Sequence, residues 1–230
     1  MDTAPISANF LLASLLTVVL LEVAAAAVGL RLHVPRLWLL AAVRSMEILA
    51  LVLLAANKRG GLTGLGLNRK TLLPGLGKGL AWSAVFAGIA ALLFAIVYLA
   101  GQHPLALVRS PLPPHPAQRV LYFFVGGILA PVAEELVFRG LIFGYLRRFF
   151  EEIVFRGPIF GCLRRWALPA AVLISTALFA AFHLPTIPVT QIIGGIVFAL
   201  AYASTGSLMT PIVIHMLGNL AIFTLSLTHF

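Results

Sequence analysis

The run Pro131-Val-Ala-Glu134-Glu135-Leu-Val-Phe-Arg139-Gly140-Leu-Ile-Phe-Gly-Tyr-Leu-Arg147-Arg148 decides how the rest of the chain is read. Seventeen residues on, most of it returns as Glu151-Glu152-Ile-Val-Phe-Arg156-Gly157-Pro158-Ile-Phe-Gly-Cys162-Leu-Arg164-Arg165. Aligning 134–149 with 151–166 gives twelve identical positions of sixteen, which reads as a tandem duplication rather than an ancient repeat. A single extra unit cannot build a repeat array. The two copies hold four of the seven acidic residues in the chain. Carboxylates inside apolar sequence are costly in a membrane, and ionisable groups at that depth mark functional sites.

The surrounding composition puts these acids in a membrane. Of 230 residues, 61% are hydrophobic and 10% charged, and the mean hydropathy is +1.05. A helix needs about 20 apolar residues to cross about 30 Å of hydrocarbon. Seven runs qualify, near 7–30, 37–56, 79–101, 120–146, 167–184, 188–204 and 209–228. No train of short alternating segments suggests a barrel, so helices must satisfy the backbone. The fold class is all-α: a polytopic transmembrane helical bundle of about seven helices, one membrane domain over 1–230, in the cytoplasmic (plasma) membrane. The N-terminal run is longer than a signal-peptide core and lacks a basic lead, so it reads as a retained first helix. Cys162 is the only cysteine, which rules out an intramolecular disulfide and a cysteine metal cluster.

The net charge of +9 reads as topology and not as affinity for nucleic acid. Lys58, Arg59, Arg69, Lys70 and Lys78 lie in the second connection, and Arg147, Arg148, Arg156, Arg164 and Arg165 in the fourth. Only Arg31, Arg36, Arg109 and Arg119 fall on the other side, a ten-to-four bias that puts the richer connections in the cytoplasm. The N-terminus is then cytoplasmic and the C-terminus external, with Arg31 and Arg36 on the less favoured side.

Along the chain, Glu22 falls on the first helix, and Arg44 and Glu47 are three apart on the second, able to pair on one face. Residues 57–80, rich in Gly, Lys and Arg, read as a cytoplasmic loop with an interfacial turn near 67–76. Residues 101–118 contain five prolines and read as irregular. Pro131 loosens the fourth helix just before the first acidic pair, and Gly126 and Gly127 allow close helix approach. Glu135 and Arg139, four apart, suit an ion pair that leaves Glu134 to act. His183 closes the fifth helix, and His215 and Asn219 share a face of the seventh.

Glu-Glu-x-x-x-Arg at 134–139, Phe179-x-x-x-His183 and His215-x-x-x-Asn219, in this order on three separate helices, resemble the CPBP family of intramembrane proteases, also called the CAAX-protease or Abi family. Pro131, Gly140 and the Thr205-Gly-Ser-Leu208 segment add to the likeness, which covers about 118–222. The resemblance implies hydrolysis of a peptide bond in a membrane-associated peptide or protein, the chain's expected partner besides the bilayer. It implies Glu134 as general base toward water, with His183 sharing that water. His215 and Asn219 would stabilise the oxyanion, with Glu135 and Arg139 holding the geometry. Glu134, His183 and His215 also make an acceptable zinc set, so a metal-dependent and a metal-free glutamate mechanism both stand. The rival function is a noncatalytic membrane protein of the immunity or scaffold kind on the same fold.

Which copy acts is a further question. Glu151 lies 32 residues before His183 and Glu134 lies 49 before it, and the family's interval suits Glu151 and Glu152. Only Glu134 follows an apolar helix and the Pro-Val-Ala lead-in. Lengthening a loop is cheap, whereas shifting a helix by seventeen residues moves it about 4.7 turns. Glu134 is therefore expected in the site. The second copy is then expected at the interface, with Pro158 breaking the helix and Arg156, Arg164 and Arg165 reaching headgroups.

Overall fold

The computed structural model describes residues 6–108, 110–154, 165–184 and 189–229, and no strand occurs among them. Seven helices carry the described fold: α1 Ala8–Leu32, α2 Arg36–Ala56, α3 Arg69–Leu99, α4 Pro116–Glu152, α5 Ala167–Ala181, α6 Val189–Thr205 and α7 Met209–Ser226. The all-helical bundle expected from the hydrophobic runs is the observed architecture. Arg109, Arg156, Pro158, Cys162 and Arg164, and with them most of the second copy, lie outside the described residues.

Local chemistry sets the boundaries. Ser7 caps α1 by accepting from the Phe10 N–H at 3.3 Å. His33, Val34 and Pro35 then turn the chain directly into α2, which packs back along α1. The expected loop over 57–80 is a correction. Only its first part is irregular, with one helical turn at Gly61–Gly64, and α3 starts at Arg69. Asn68 supplies the cap, accepting from Lys70 N–H at 3.0 Å. Gly75 and Gly79, part of the glycine richness that suggests a loop, lie within the helix, as does Pro74. Gly75 and Gly79 let α3 approach α7: a Cβ at Gly79 would sit 2.8 Å from Val213 Cβ, and one at Gly75 2.2 Å from Ser207 Oγ. This small-residue spacing is a packing device of membrane helices.

α1, α2, α4, α7 and the run ending at Leu99 are long and apolar enough to cross a membrane. α5 and α6, at 15 and 17 residues, reach about 22 and 26 Å at about 1.5 Å per residue. They are shorter than a full span, and α5 stops before His183, which falls in the turn that follows. Leucines such as Leu12, Leu16, Leu92 and Leu93 face outward on α1 and α3, as a lipid-facing surface requires. Inside, Leu136, Leu141 and Phe143 of α4 pack against Leu51, Ala55, Ala171, Val172, Ala199, Tyr202, Leu208 and Ile212 from the helices around it.

α4 is wound unevenly. Val125–Leu129 and Leu136–Phe143 are π-helical, flanking the α-helical turn Ala130–Glu135. The cause lies at Pro131. Ala130 N–H donates to Val125 O, five residues back. In that register the next carbonyl, Gly126 O, faces a proline with no N–H to give. Asn219 of α7 supplies the missing donor, Nδ2 to Gly126 O at 2.8 Å. Gly126 and Gly127 make this possible, since a Cβ at Gly127 would lie 2.5 Å from Leu220 Cδ2. The π turns on either side rotate the acidic pair relative to a regular helix, and such turns recur at functional sites.

Candidate active site

Glu135 and Arg139 stand one turn apart on α4, with 0% and 1% of their surfaces accessible. Arg139 Nη1 donates to Glu135 Oε1 at 2.9 Å, and Nη2 donates to Gly195 O of α6 at 3.3 Å. The guanidinium carbon lies 4.5 Å from the Phe179 ring centre and 5.1 Å from that of Phe198, so two aromatic faces replace part of its lost hydration. The same Glu135 Oε1 accepts from His215 Nδ1 at 2.8 Å. A carboxylate already serving a guanidinium only accepts, so Nδ1 carries a hydrogen and Nε2 is the nitrogen left toward Glu134. Phe198 stacks on the imidazole at 4.7 Å and 21°, which sets the plane of the ring.

His215 Nε2 points toward Glu134, 3.7 Å from Oε2. That is too long for a direct hydrogen bond and suits a bridging water. Glu134 keeps 21% of its side chain accessible, in contrast to its closed neighbour. Two cations act on it: Arg139 on the same helix and Arg44 of α2. α4 thus presents one carboxylate fixed in a network and one turned to open space beside an imidazole. The Glu135–Arg139 pair expected from their spacing is present, and it extends to a third member on α7.

His183 donates from Nδ1 to Phe179 O at 2.8 Å, and its ring packs on Phe179 at 4.8 Å. His215 meets the same Phe179 ring at 5.9 Å, so both histidines share one aromatic wall. Asn219 sits one turn beyond His215 and holds the Gly126 carbonyl as described, with a second N–H on the same nitrogen. Among the described residues, no three His, Cys, Asp or Glu side chains gather as a metal centre requires.

The second acidic pair is elsewhere. Glu151 pairs with Arg147 at 3.0 Å and Glu152 with Arg148 at 2.8 Å, all four side chains partly or largely exposed at the end of α4. The last arginines of the first copy thus neutralise the acids of the second.

Three contributors were not legible in the sequence as site residues. Phe198 and the Gly195 carbonyl belong to α6, and nothing in their local sequence signals contact with Arg139. In the sequence, Arg44 reads with Glu47 as a neutralised pair, or as a pair with a role in substrate access. The structure adds Glu22 of α1, 2.9 Å from Arg44 Nη2, and the packing of α2 on the α4 turn that carries Glu134. A charged residue at mid-span of an otherwise apolar helix was the available signal.

Ionisable side chains from several helices, closed into one network inside a multi-span bundle, define an integral membrane protein with an internal polar site. Comparison with protein-family models matches residues 116–150 and again 147–221 to the type II CAAX prenyl endopeptidase Rce1-like family. Over these C-terminal helices, 106 of the 230 residues, the chain is similar to that family. The matched segments share residues 147–150, and each contains one copy of the acidic motif. No curated protein and no solved structure matches the chain.

Proposed function

We propose that this protein is an intramembrane endopeptidase of the cytoplasmic membrane. Its substrate is a membrane-associated peptide or protein of the CAAX prenyl kind that the family description names. One observation carries the reading: the 3.7 Å gap between the more open Glu134 carboxylate and the oriented Nε2 of His215. A water in that gap is held by both groups and has one side toward open space.

In this reaction Glu134 takes a proton from the water, whose oxygen attacks the scissile carbonyl carbon. The carbonyl electrons move onto oxygen, and the second N–H of Asn219 stabilises the charge. When the tetrahedral intermediate collapses, the C–N bond breaks and Glu134 returns its proton to the leaving nitrogen. His215, held by Glu135 and Arg139, shares the water with Glu134, and His183 is the second imidazole we assign to it. The steps of this reading use the chain's own side chains.

The test is hydrolysis of a prenylated peptide with a CAAX-type C-terminus by purified protein in liposomes. Wild type is expected to cleave, to keep cleaving in EDTA, and to lose at least about 100-fold on His215→Ala, in line with loss of an acid–base partner. Cleavage that survives His215→Ala unchanged contradicts the assignment.

A further inference from the structure

Arg44 is a charged residue of the first half of the bundle that has no part in the mechanism above. It lies on α2, in an apolar span, where a charge is retained only with a partner or a task. It has two partners. Nη2 meets Glu22 Oε1 of α1 at 2.9 Å, and Nη1 meets Glu47 Oε2 one turn along its own helix. Simple neutralisation needs one carboxylate. Two carboxylates, one on α1 and one on α2, instead fix the direction of a long side chain.

α2 packs against the α4 segments Val125–Leu129 and Ala130–Glu135, the latter carrying Glu134. The guanidinium interacts electrostatically with the Glu134 carboxylate besides its two partners. Arg44 and Glu134 each keep 21% of the side chain accessible, whereas Glu47 keeps 1%. Arg44 Nε and Glu47 Oε1 are buried with no hydrogen-bond partner, so the cluster is not closed on itself as a finished ion pair would be.

We infer that Arg44 is a positioning residue of the hydrolytic site, a cation that Glu22 and Glu47 hold on the α4 face bearing Glu134. The inference rests on the proposed role of Glu134. It places a working residue on α2, outside the family-matched segment 116–221. Glu134 is then flanked by Arg44 from α2, Arg139 from its own helix and His215 from α7. In a low-dielectric bundle, a cation acts on a carboxylate far more strongly than in water.

The test separates this role from counter-ion duty. In liposomes, with the same prenylated peptide, the double variant Glu22→Gln/Glu47→Gln is compared with the triple variant that adds Arg44→Gln, at matched melting behaviour. With its carboxylate partners gone, Arg44 has no ion pair left to serve within its cluster. The triple variant is expected to fall at least tenfold below the double in kcat/KM, through kcat, and Arg44→Lys in the double background is expected to recover most of the loss. A triple variant equal to or better than the double overturns the inference and leaves Arg44 a counter-ion. Wild type that cleaves nothing overturns the proposed function and this inference together, whereas active wild type with an unaffected triple variant overturns this one alone.

Discussion

Glu135 receives two hydrogen bonds on one oxygen, from a guanidinium and an imidazole, with almost no access to solvent. A buried pair of this kind adds little net stability over a hydrophobic substitute, but removing one member strands the other. Arg139→Ala leaves Glu135 with only the imidazole, and the protein is expected to lose about 3–5 kcal/mol, read as a lower melting point or denaturant midpoint in detergent. A variant that melts with wild type would mean that the pair is not closed as described. The i,i+4 spacing made this pair legible in the sequence, because it depends on one helix alone. Glu22 with Arg44 and Phe198 with His215 depend on contacts between helices, which no local spacing encodes. Asn219 was legible as a site residue by its distance from His215. Its bond to Gly126 was not, since it follows from how α4 winds around Pro131.

The helices themselves were easier to read than their limits. Apolar runs mark all seven, yet the glycine-rich 57–80 reads as a loop where the structure runs α3 from Arg69 through Pro74, Gly75 and Gly79. Local propensity argued correctly that these residues weaken a helix, but packing on α7 outweighs it. Gly79→Leu should therefore destabilise by more than a surface change. Its Cβ would meet Val213 Cβ at 2.8 Å, and overpacking typically costs about 1–3 kcal/mol. Thermal melting of the purified variant measures this, and an unchanged melting point would place α3 away from α7. The duplication also belongs at this scale. The acids of the second copy are satisfied by Arg147 and Arg148, and the two family-matched segments each contain one motif. Deleting 150–166 removes one 17-residue unit, and the shortened chain is expected to fold and to cleave within about tenfold of the full one, since loop length weighs little. Complete loss of activity in a folded deletion variant would show that the second copy contributes to the site.

For the molecule as a whole, the basic residues predict orientation. Lys58 and Arg59 follow α2, and Arg147 and Arg148 end α4, two connections that the positive-inside bias puts in the cytoplasm. With Cys162→Ser removing the only cysteine, Lys58→Cys should react with a membrane-impermeant thiol reagent only after cells are opened. Gln102→Cys, beyond α3, should react in intact cells. The reverse pattern would invert the protein. The same architecture explains why the site lies in the second half: α4 is surrounded by the other helices, and α5 and α6, too short for a full span, supply its inner wall. Hydrophobic length alone could not show which helix is central, because every run is apolar and burial is a property of the assembled bundle.

The central claim is that the first acidic pair faces His215 and hydrolyses peptide bonds there. Its most direct test compares Glu134→Gln with Glu151→Gln in liposomes, at matched folding, on one prenylated peptide. The account predicts loss of at least about 100-fold in kcat for Glu134→Gln, in the range expected for a general base, and near wild-type activity for Glu151→Gln. Loss confined to Glu151→Gln would contradict it and place the second copy in the site.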